Sequence, residues 1–488
     1  MVFERIAARA SWFLFVFVGL IGGRPMMPSC WGQPTSVVSA TATDSVSSPV
    51  RNVLLIMADD LKASVLGCYG DPHCQTPNLD RLAAKGLLFE HAYCQATWCA
   101  PSRRSMMFGR YRDQANVTLG QQLQDHAAYT ARVGKIFHMR VPGDIIAGTD
   151  GLDQPKCWTE RFNSPGPEAH TPGLYACLNQ NLFTRQLANR QSTKMPHRMF
   201  VTVQSDGDGT RQADYKAASQ AIELLKQRRQ SDQPFFLAVG LVRPHYPMVA
   251  PSHYFDDYPV DRIAMPANWK DDTSDIPKQG RAATTNARNS IGDFPENQKR
   301  MWSGYYASVA FMDAQVGRIL DALEQHQLAD STAVIFTSDH GYHLGEHGWW
   351  QKSNLHEEVI RVPLIVRVPQ QARGRSKSMV ELIDLYPTVC QLMSVPTPAV
   401  AEGKSLLPVL QDPLKRLRQG ALSIHNGHSL RTDHWHYMRY TDGSEELYDM
   451  QQDPGETRNL AGEPTPSKEL LQMRQALQQR LREIKTAN

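Results

Sequence analysis

Asn52-Val53-Leu54-Leu55-Ile56-Met57, followed after one alanine by Asp59-Asp60, sets the architecture of this chain. The run is apolar without alternation and bounded by polar residues, which is the pattern of a strand buried on both faces. Residues 77–86 read as a short helix, with Leu79, Leu82 and Ala83 on one face and a closing glycine at Gly86. A longer helix is expected over 213–229, followed by a strand at 235–239. Helical periodicity returns over 302–323, where Val309, Met312, Val316, Ile319, Leu320 and Leu323 form the apolar stripe. Strands are expected at 333–337 and 363–368. Strands alternating with helices argue for an α/β core with a mostly parallel central sheet flanked by helices. The polar segment 271–299 reads as a surface excursion.

Beyond about residue 415 the texture changes. His434-Trp435-His436-Tyr437-Met438-Arg439-Tyr440 alternates like a strand, Glu446-Leu447-Tyr448-Asp449 leads into a turn at Asp453-Pro454, and an amphipathic helix covers 467–484. The expected organisation is a leader over 1–40, a large α/β domain over 50–414 and a smaller C-terminal α+β subdomain over 415–488 with an antiparallel sheet.

The leader carries Arg5 and Arg9 and then the apolar run 12–21, too short to span a bilayer comfortably. It reads as the core of a signal peptide, with a small-residue cleavage site after Ala40; an N-terminal membrane anchor is the alternative. The mature protein is therefore expected to be secreted or periplasmic, with no stable membrane span. At 488 residues and 41% hydrophobic content the chain can bury a large core. A net charge of +3 with interleaved signs disfavours a nucleic-acid partner. Eight cysteines fit an oxidising compartment without making a disulfide scaffold. Cys157 and Cys177 bracket a Pro/Gly-rich loop and are candidates for a bridge. Neither C-x-x-C nor H-E-x-x-H occurs, which disfavours zinc.

In parallel sheets, ligands sit beyond the carboxyl ends of strands. Two predicted strand ends carry acids: Asp59-Asp60 after the first, and Asp339-His340 after 333–337. One aspartate there usually caps the next turn. Three together repel one another unless a cation joins them, and an oxygen-rich set suits calcium or magnesium. Gly134-Lys135-Ile136-Phe137-His138 holds a Lys/His pair that, alone, would be surface decoration. His245 lies in Arg243-Pro244-His245-Tyr246-Pro247, a loop stiffened by two prolines. Lys352 closes the His-, Gly- and Trp-rich loop after Asp339, the kind of loop where pocket residues concentrate.

Cys99-Ala100-Pro101-Ser102-Arg103 matches C-x-P-S-R, which in sulfatases marks a cysteine oxidised to formylglycine by a dedicated maturation enzyme. With the acid pair, Gly-Lys-x-x-His, Ser338-Asp339-His340-Gly341 and the block from Glu446 to Pro454, the chain resembles the sulfatase family of the alkaline-phosphatase-like superfamily. The spacing from Lys135 to His138, histidine at 340, Arg243-Pro244-His245 and Leu344-Gly345-Glu346-His347-Gly348-x-Trp350 resemble its iduronate-2-sulfatase branch. Two features depart: Met107-Phe108-Gly109-Arg110 stands where many sulfatases have Leu-Thr-Gly-Arg, and the 112–120 segment is shorter than in that branch.

The resemblance implies an alkaline-phosphatase-like core and one calcium ion held by Asp59, Asp60, Asp339, His340 and the modified Cys99. Formylglycine made from Cys99 would be the nucleophile, and Arg103 would stabilise its hydrate. Lys135 and Lys352 would bind sulfate oxygens, His245 would protonate the departing sugar alcohol, and His138 would accept a proton as sulfate leaves. The implied activity is sulfuric ester hydrolysis on a sulfated glycan, including a 2-O-sulfated uronic acid. Alternatives are a phosphodiester or phosphonate monoester hydrolase of the same superfamily, and an inactive glycan-binding relative.

Overall fold

The computed structural model describes residues 50–486 apart from 113–116, 191–196, 285 and 287–289. The expected leader, residues 1–40, lies outside the described residues, as does Cys30. The apolar run becomes the central strand Asn52–Asp59, buried along its whole length. It pairs in parallel with Thr332–Ser338 on one side and Phe235–Pro244 on the other, placing Leu55 between Ile335 and Ala238. Tyr129–Gly134 and Glu160–Phe162 continue the parallel run outward. On the other flank, Arg361–Arg367 runs antiparallel to both Thr332–Ser338 and Leu87–Tyr93. Gly374–Ser376 and Val380–Glu381 return parallel to Leu87–Tyr93. The nine-stranded sheet is mostly parallel, as the sequence predicts.

Successive side chains of a strand point to opposite faces. Leu54 and Ile56 enter one core with Leu79 and Leu82 of helix Pro77–Lys85, Ala217, Ala221 and Leu225 of Ala213–Arg228, and Val309, Met312 and Val316 of Pro295–Gln325. Val53, Leu55 and Met57 enter another with Met106, Met107, Leu385 and Val389. Helices cover both faces, which is why the run shows no alternation.

Helix Pro295–Gln325 begins seven residues before the expected start, with a proline in its first turn. Its early residues are polar yet buried: Asn297 Nδ2 donates to the carbonyl of Leu178 at 2.9 Å. Such positions leave no apolar signal. Residues 272–294 contain no helix or strand among those described, but they are not wholly superficial, since Ile276 and Ala282 pack with Trp349.

The expected Cys157–Cys177 bridge is absent, and both residues are free and buried. They face different cores, Cys157 beneath the main sheet and Cys177 in a satellite cluster with Tyr175, Val201 and Val249. No helix among the described residues is long and apolar enough to cross a membrane.

Toward the C-terminus, Gly420–Ile424, Gly427–Thr432, Trp435–Tyr440 and Glu445–Asp449 form the expected antiparallel sheet. Leu470, Met473 and Leu477 of helix Lys468–Thr486 pack against its Leu422, Leu430, Tyr437 and Leu447. Ile424 also bridges to Ala96, and Leu422 N donates to Glu381 Oε1 at 2.8 Å. One hairpin of this sheet therefore lies beside the segment leading into Cys99.

Candidate active site

Cys99 opens the helix Cys99–Phe108, whose preceding residue, Trp98, is extended. Pro101 is tolerated because first-turn amides have no intrahelical acceptor. Cys99, Ser102 and Arg103 stand at i, i+3 and i+4, so all three share one helix face. That face meets the carboxyl ends of the central strands. Ser102 Oγ donates to the carbonyl of Asp339 at 2.5 Å. Arg103, with no solvent exposure, donates from Nε to Asp339 Oδ2 at 2.8 Å. Its Nη2 lies 3.3 Å from Asp59 Oδ1, and its Nη1 donates to the carbonyls of Lys135 and Ile136. The Ser-Arg of the pentapeptide thus ties three segments around the cysteine.

All the acids expected at strand ends are buried together. Cys99 Sγ lies 3.5 Å from Asp59 Oδ1, 3.9 Å from Asp60 Oδ1 and 3.3 Å from His340 Nε2. Lys352 Nζ is 3.1 Å from Cys99 Sγ and 3.3 Å from His340 Nε2, and it pairs with Asp60 Oδ1. Lys135 Nζ pairs with Asp59 Oδ2. Lys135 can come this close because its backbone runs against Gly240, where a Cβ would sit 2.1 Å from the Lys135 carbonyl oxygen. Three carboxylates, Asp59, Asp60 and Asp339, thus face three cations, Arg103, Lys135 and Lys352.

Burial would raise Asp59, but Lys135, His245 and Arg103 outweigh it and hold the carboxyl well below the usual range. Burial wins at Asp60, which is raised despite Lys352 and His340. Burial, reinforced by Asp59, pushes the Cys99 thiol well above its ordinary value, so an unmodified Cys99 is protonated and a weak nucleophile.

Four donor atoms, one each from Asp59, Asp60, Cys99 and His340, lie within 4.8 Å of one another. Asp60 Oδ2 is buried and has no hydrogen-bond partner. His340 Nδ1 is 2.9 Å from the carbonyl of Gly341, an acceptor, so Nδ1 carries the proton and Nε2 offers its lone pair to the cluster. An orphaned carboxylate oxygen among converging donors fits a divalent cation, and the oxygen-rich set favours a hard one. Asp339, the remaining expected ligand, stands against this group, its Oδ2 3.6 Å from His340 Nε2. Its Oδ1 accepts from the amides of Asp60 and His340, at 3.1 and 3.0 Å.

His245 points inward from the loop after strand Phe235–Pro244. Its Nδ1 is 2.7 Å from the carbonyl of Tyr246, and its Nε2 is 3.7 Å from Asp60 Oδ2. His138 is half-buried with Nδ1 unpartnered. Burial, then the charge of Lys135, lowers its pKa to about 4. The structure therefore brings Asp59, Asp60, Cys99, Arg103, Lys135, His245, Asp339, His340 and Lys352 to one place, with His138 within reach of the same charges.

Three supporting residues escape the sequence reading. Glu168 receives a bidentate pair from Arg243 Nη2, 2.8 Å to each oxygen, while Arg243 Nη1 donates to the carbonyl of His245 at 2.9 Å. Asp214 accepts from the amides of Val242 and Arg243 at 2.7 and 3.0 Å. Lys62, two residues after the acid pair, is buried between Glu346 and Glu358 and anchors the loop that carries Lys352. None of the three sits in a motif, and their partners are distant in sequence.

The family model described as Sulfatase matches residues 51–140 and 161–395, and that of N-sulphoglucosamine sulphohydrolase, C-terminal, matches 345–487. The chain is 32% identical over 437 residues to iduronate 2-sulfatase of Homo sapiens, covering 76% of this chain and 75% of that one. It is 30% identical over 445 residues to a sulfatase of Formosa agariphila, covering 84% and 83%. Among solved structures, a protein in complex with its substrate D-glucosamine-2-N,6-O-disulfate superposes with a TM-score of 0.71 at 21% identity, over 90% of this chain and 98% of that one. The phosphonate monoester hydrolase of Agrobacterium radiobacter gives 0.69 at 20%, over 89% and 95%. At such identities the structural likeness speaks for the fold alone. Sequence agreement over three quarters of both chains with the human enzyme is the stronger finding, and it means that the chain belongs to the sulfatase family of sulfuric ester hydrolases.

Proposed function

We propose that this protein removes sulfate from a sulfated glycan, with a 2-O-sulfated uronic acid as the substrate of choice, outside the cytoplasm. Residues 50–414 would carry the chemistry and 415–488 the subdomain beside it. The observation that carries this reading is the approach of Lys352 Nζ to within 3.1 Å of Cys99 Sγ beside a buried acid cluster. A cation next to the residue that the pentapeptide marks for oxidation suits attack on an anionic ester. The resemblance to iduronate 2-sulfatase supports the choice of sugar.

Asp59, Asp60, Asp339, His340 and the side chain at 99 would hold a calcium ion, which when bound polarises a sulfate oxygen. Formylglycine at position 99 would supply, as its hydrate, one hydroxyl for attack on sulfur and a second that would let sulfate depart. The chain's own residues do the rest. Lys135 and Lys352 neutralise charge on the sulfate oxygens as the ester bond lengthens. Arg103 fixes the helix start against Asp339 and Asp59, so residue 99 cannot drift. His245, whose Nδ1–H is held by the Tyr246 carbonyl, directs Nε2 toward the leaving alcohol; burial keeps the ring neutral in the empty site, and it would act as an acid there only as the imidazolium, after taking up a proton beside the bound sulfate anion. His138 takes up a proton when sulfate is expelled.

Three measurements test this. Peptide mass spectrometry of protein matured with a formylglycine-generating enzyme should show residue 99 as the aldehyde or its hydrate, and Cys99→Ala should abolish turnover while the protein stays folded by circular dichroism. Parallel assays on a 2-O-sulfated uronic acid disaccharide, an aryl sulfate and an aryl phosphate should favour the sulfates. A clear preference for phosphate overturns the reading.

A further inference from the structure

Trp98 is exposed between two buried chain neighbours. Its relative exposure is 41%, whereas Thr97 and Cys99 on either side are at 0% and 3%. The residue is not loose. Its backbone is extended at φ −135° and ψ 147°, and its carbonyl accepts the first helical bond, from Ser102 N at 3.1 Å. Serine, threonine or aspartate at this position would cap the helix, and Trp98 makes no side-chain capping bond. Neither burial nor capping accounts for a large indole here.

What the indole does face is Lys352, whose Nζ stands 5.9 Å from the ring centroid and 3.1 Å from Cys99 Sγ. The ring therefore borders the place where the sulfate must lie, on the side open to solvent. The opening has a second, polar edge. Ile424 bridges to Ala96 and its amide donates to the Gln95 carbonyl at 3.0 Å, which brings the turn His425-Asn426 beside the same segment. Asn426 is exposed, and its Nδ2 lies 3.3 Å from His425 Nε2. An exposed aromatic face, with groups that can hydrogen-bond hydroxyls on the adjoining turn, suits a pyranose, which has an apolar C–H face and a polar rim.

We propose that Trp98 is the platform on which the sugar ring carrying the sulfate stacks, making it a specificity-determining residue for this enzyme. The inference rests on the sulfatase reading above and adds where the leaving alcohol is recognised. Because Trp98 is exposed, its replacement should not impair folding, and an unchanged thermal midpoint checks this.

The experiment compares wild type, Trp98→Ala and Trp98→Phe on a 2-O-sulfated uronic acid disaccharide and on an acyclic alkyl sulfate, with inhibition by inorganic sulfate measured alongside. Trp98→Ala should raise KM for the disaccharide about tenfold with kcat nearly unchanged, since aromatic stacking contributes on that order. Trp98→Phe should recover most of the loss. Turnover of the alkyl sulfate and inhibition by inorganic sulfate should stay within about twofold, because stacking on the sugar makes no demand on the sulfate pocket. An unchanged KM for the disaccharide overturns the proposal. So does an equal weakening of sulfate inhibition, which would mean that Trp98 merely orders Lys352. Quenching of tryptophan emission by the disaccharide reports stacking whether or not turnover occurs; it should be present in wild type and reduced in Trp98→Phe, and equal quenching in both also overturns the proposal. Failure of the sulfatase reading would appear differently, as wild-type protein that releases sulfate from no ester at all.

Discussion

Raising the pH from 7 to 9 should remove a defined share of this protein's stability, and the group responsible is His356. Its imidazole is fully buried, with Nδ1 2.8 Å from Glu456 Oε2 and Nε2 3.3 Å from Glu446 Oε2. Trp349, His347, His343 and Tyr448 pack around the ring. Glu456 is shared with His436, and its Oε2 also accepts from Glu357 N at 3.0 Å. Burial alone would lower His356, but Glu446 and Glu456 outweigh it and raise its pKa from 6.5 to about 10. A histidine raised on folding contributes stability that is complete below its unfolded value and disappears as the pH climbs through the folded one. Each pKa unit corresponds to about 1.4 kcal/mol, so the contribution is about 4 kcal/mol at pH 7 and about 1.4 kcal/mol at pH 9. Roughly 2.5 kcal/mol should therefore vanish between the two. Equilibrium urea unfolding of wild type and His356→Gln at pH 7, 8 and 9 reads this directly. The variant is expected to be weaker at pH 7, because Glu446 and Glu456 lose their neutralising partner, but its stability should change much less with pH. If both proteins lose the same stability over this range, His356 is not a charged clamp between the two glutamates and the reasoning fails.

Calcium added to chelated protein should raise the thermal midpoint and restore activity, the gain being about 2.7 kcal/mol at a hundredfold excess over Kd. Asp60→Asn should abolish that shift, and a calcium response that survives the substitution would move the ion elsewhere. Lys352→Met should lower kcat/KM by about 10²–10³, the usual cost of losing one transition-state charge partner, with a folded protein by circular dichroism; activity within threefold of wild type would remove Lys352 from the sulfate site. Glu168→Gln leaves Arg243 buried without its bidentate partner, so stability should fall by about 3 kcal/mol in urea unfolding. The kcat should fall with it, because Arg243 also holds the His245 carbonyl. A Glu168→Gln protein with unaltered kcat would show that the loop keeps its place without that pair.

Local pattern carried a large part of this molecule. The strand at 52–57 was readable because aliphatic residues of high strand propensity fill both its faces, and the acids at its end lie at the carboxyl edge, where parallel sheets take their ligands. The pentapeptide was readable because Cys99, Ser102 and Arg103 share a helix face, so their spacing encodes their convergence. The same reading stopped where local pattern is silent. A strand buried on both faces looks alike in either direction, so nothing in 363–368 announced that Arg361–Arg367 runs antiparallel. Buried amides such as Asn297 hid the first turns of the helix that starts at Pro295, and two cysteines 20 residues apart proved to face different cores.

By itself, then, the order of residues determined the α/β layering, the strand ends that carry acids, the pentapeptide that opens on Cys99 and the family. Only the tertiary structure decided that Glu168 grips Arg243, that Asp214 and Lys62 brace the loops of His245 and Lys352, and that Trp98 stands exposed beside the lysine. The physical reason is range. Strand and helix periodicity comes from neighbours one to four positions apart, whereas a buried charge takes its partner wherever the folded chain brings one, 75 residues away for Arg243 and 284 for Lys62.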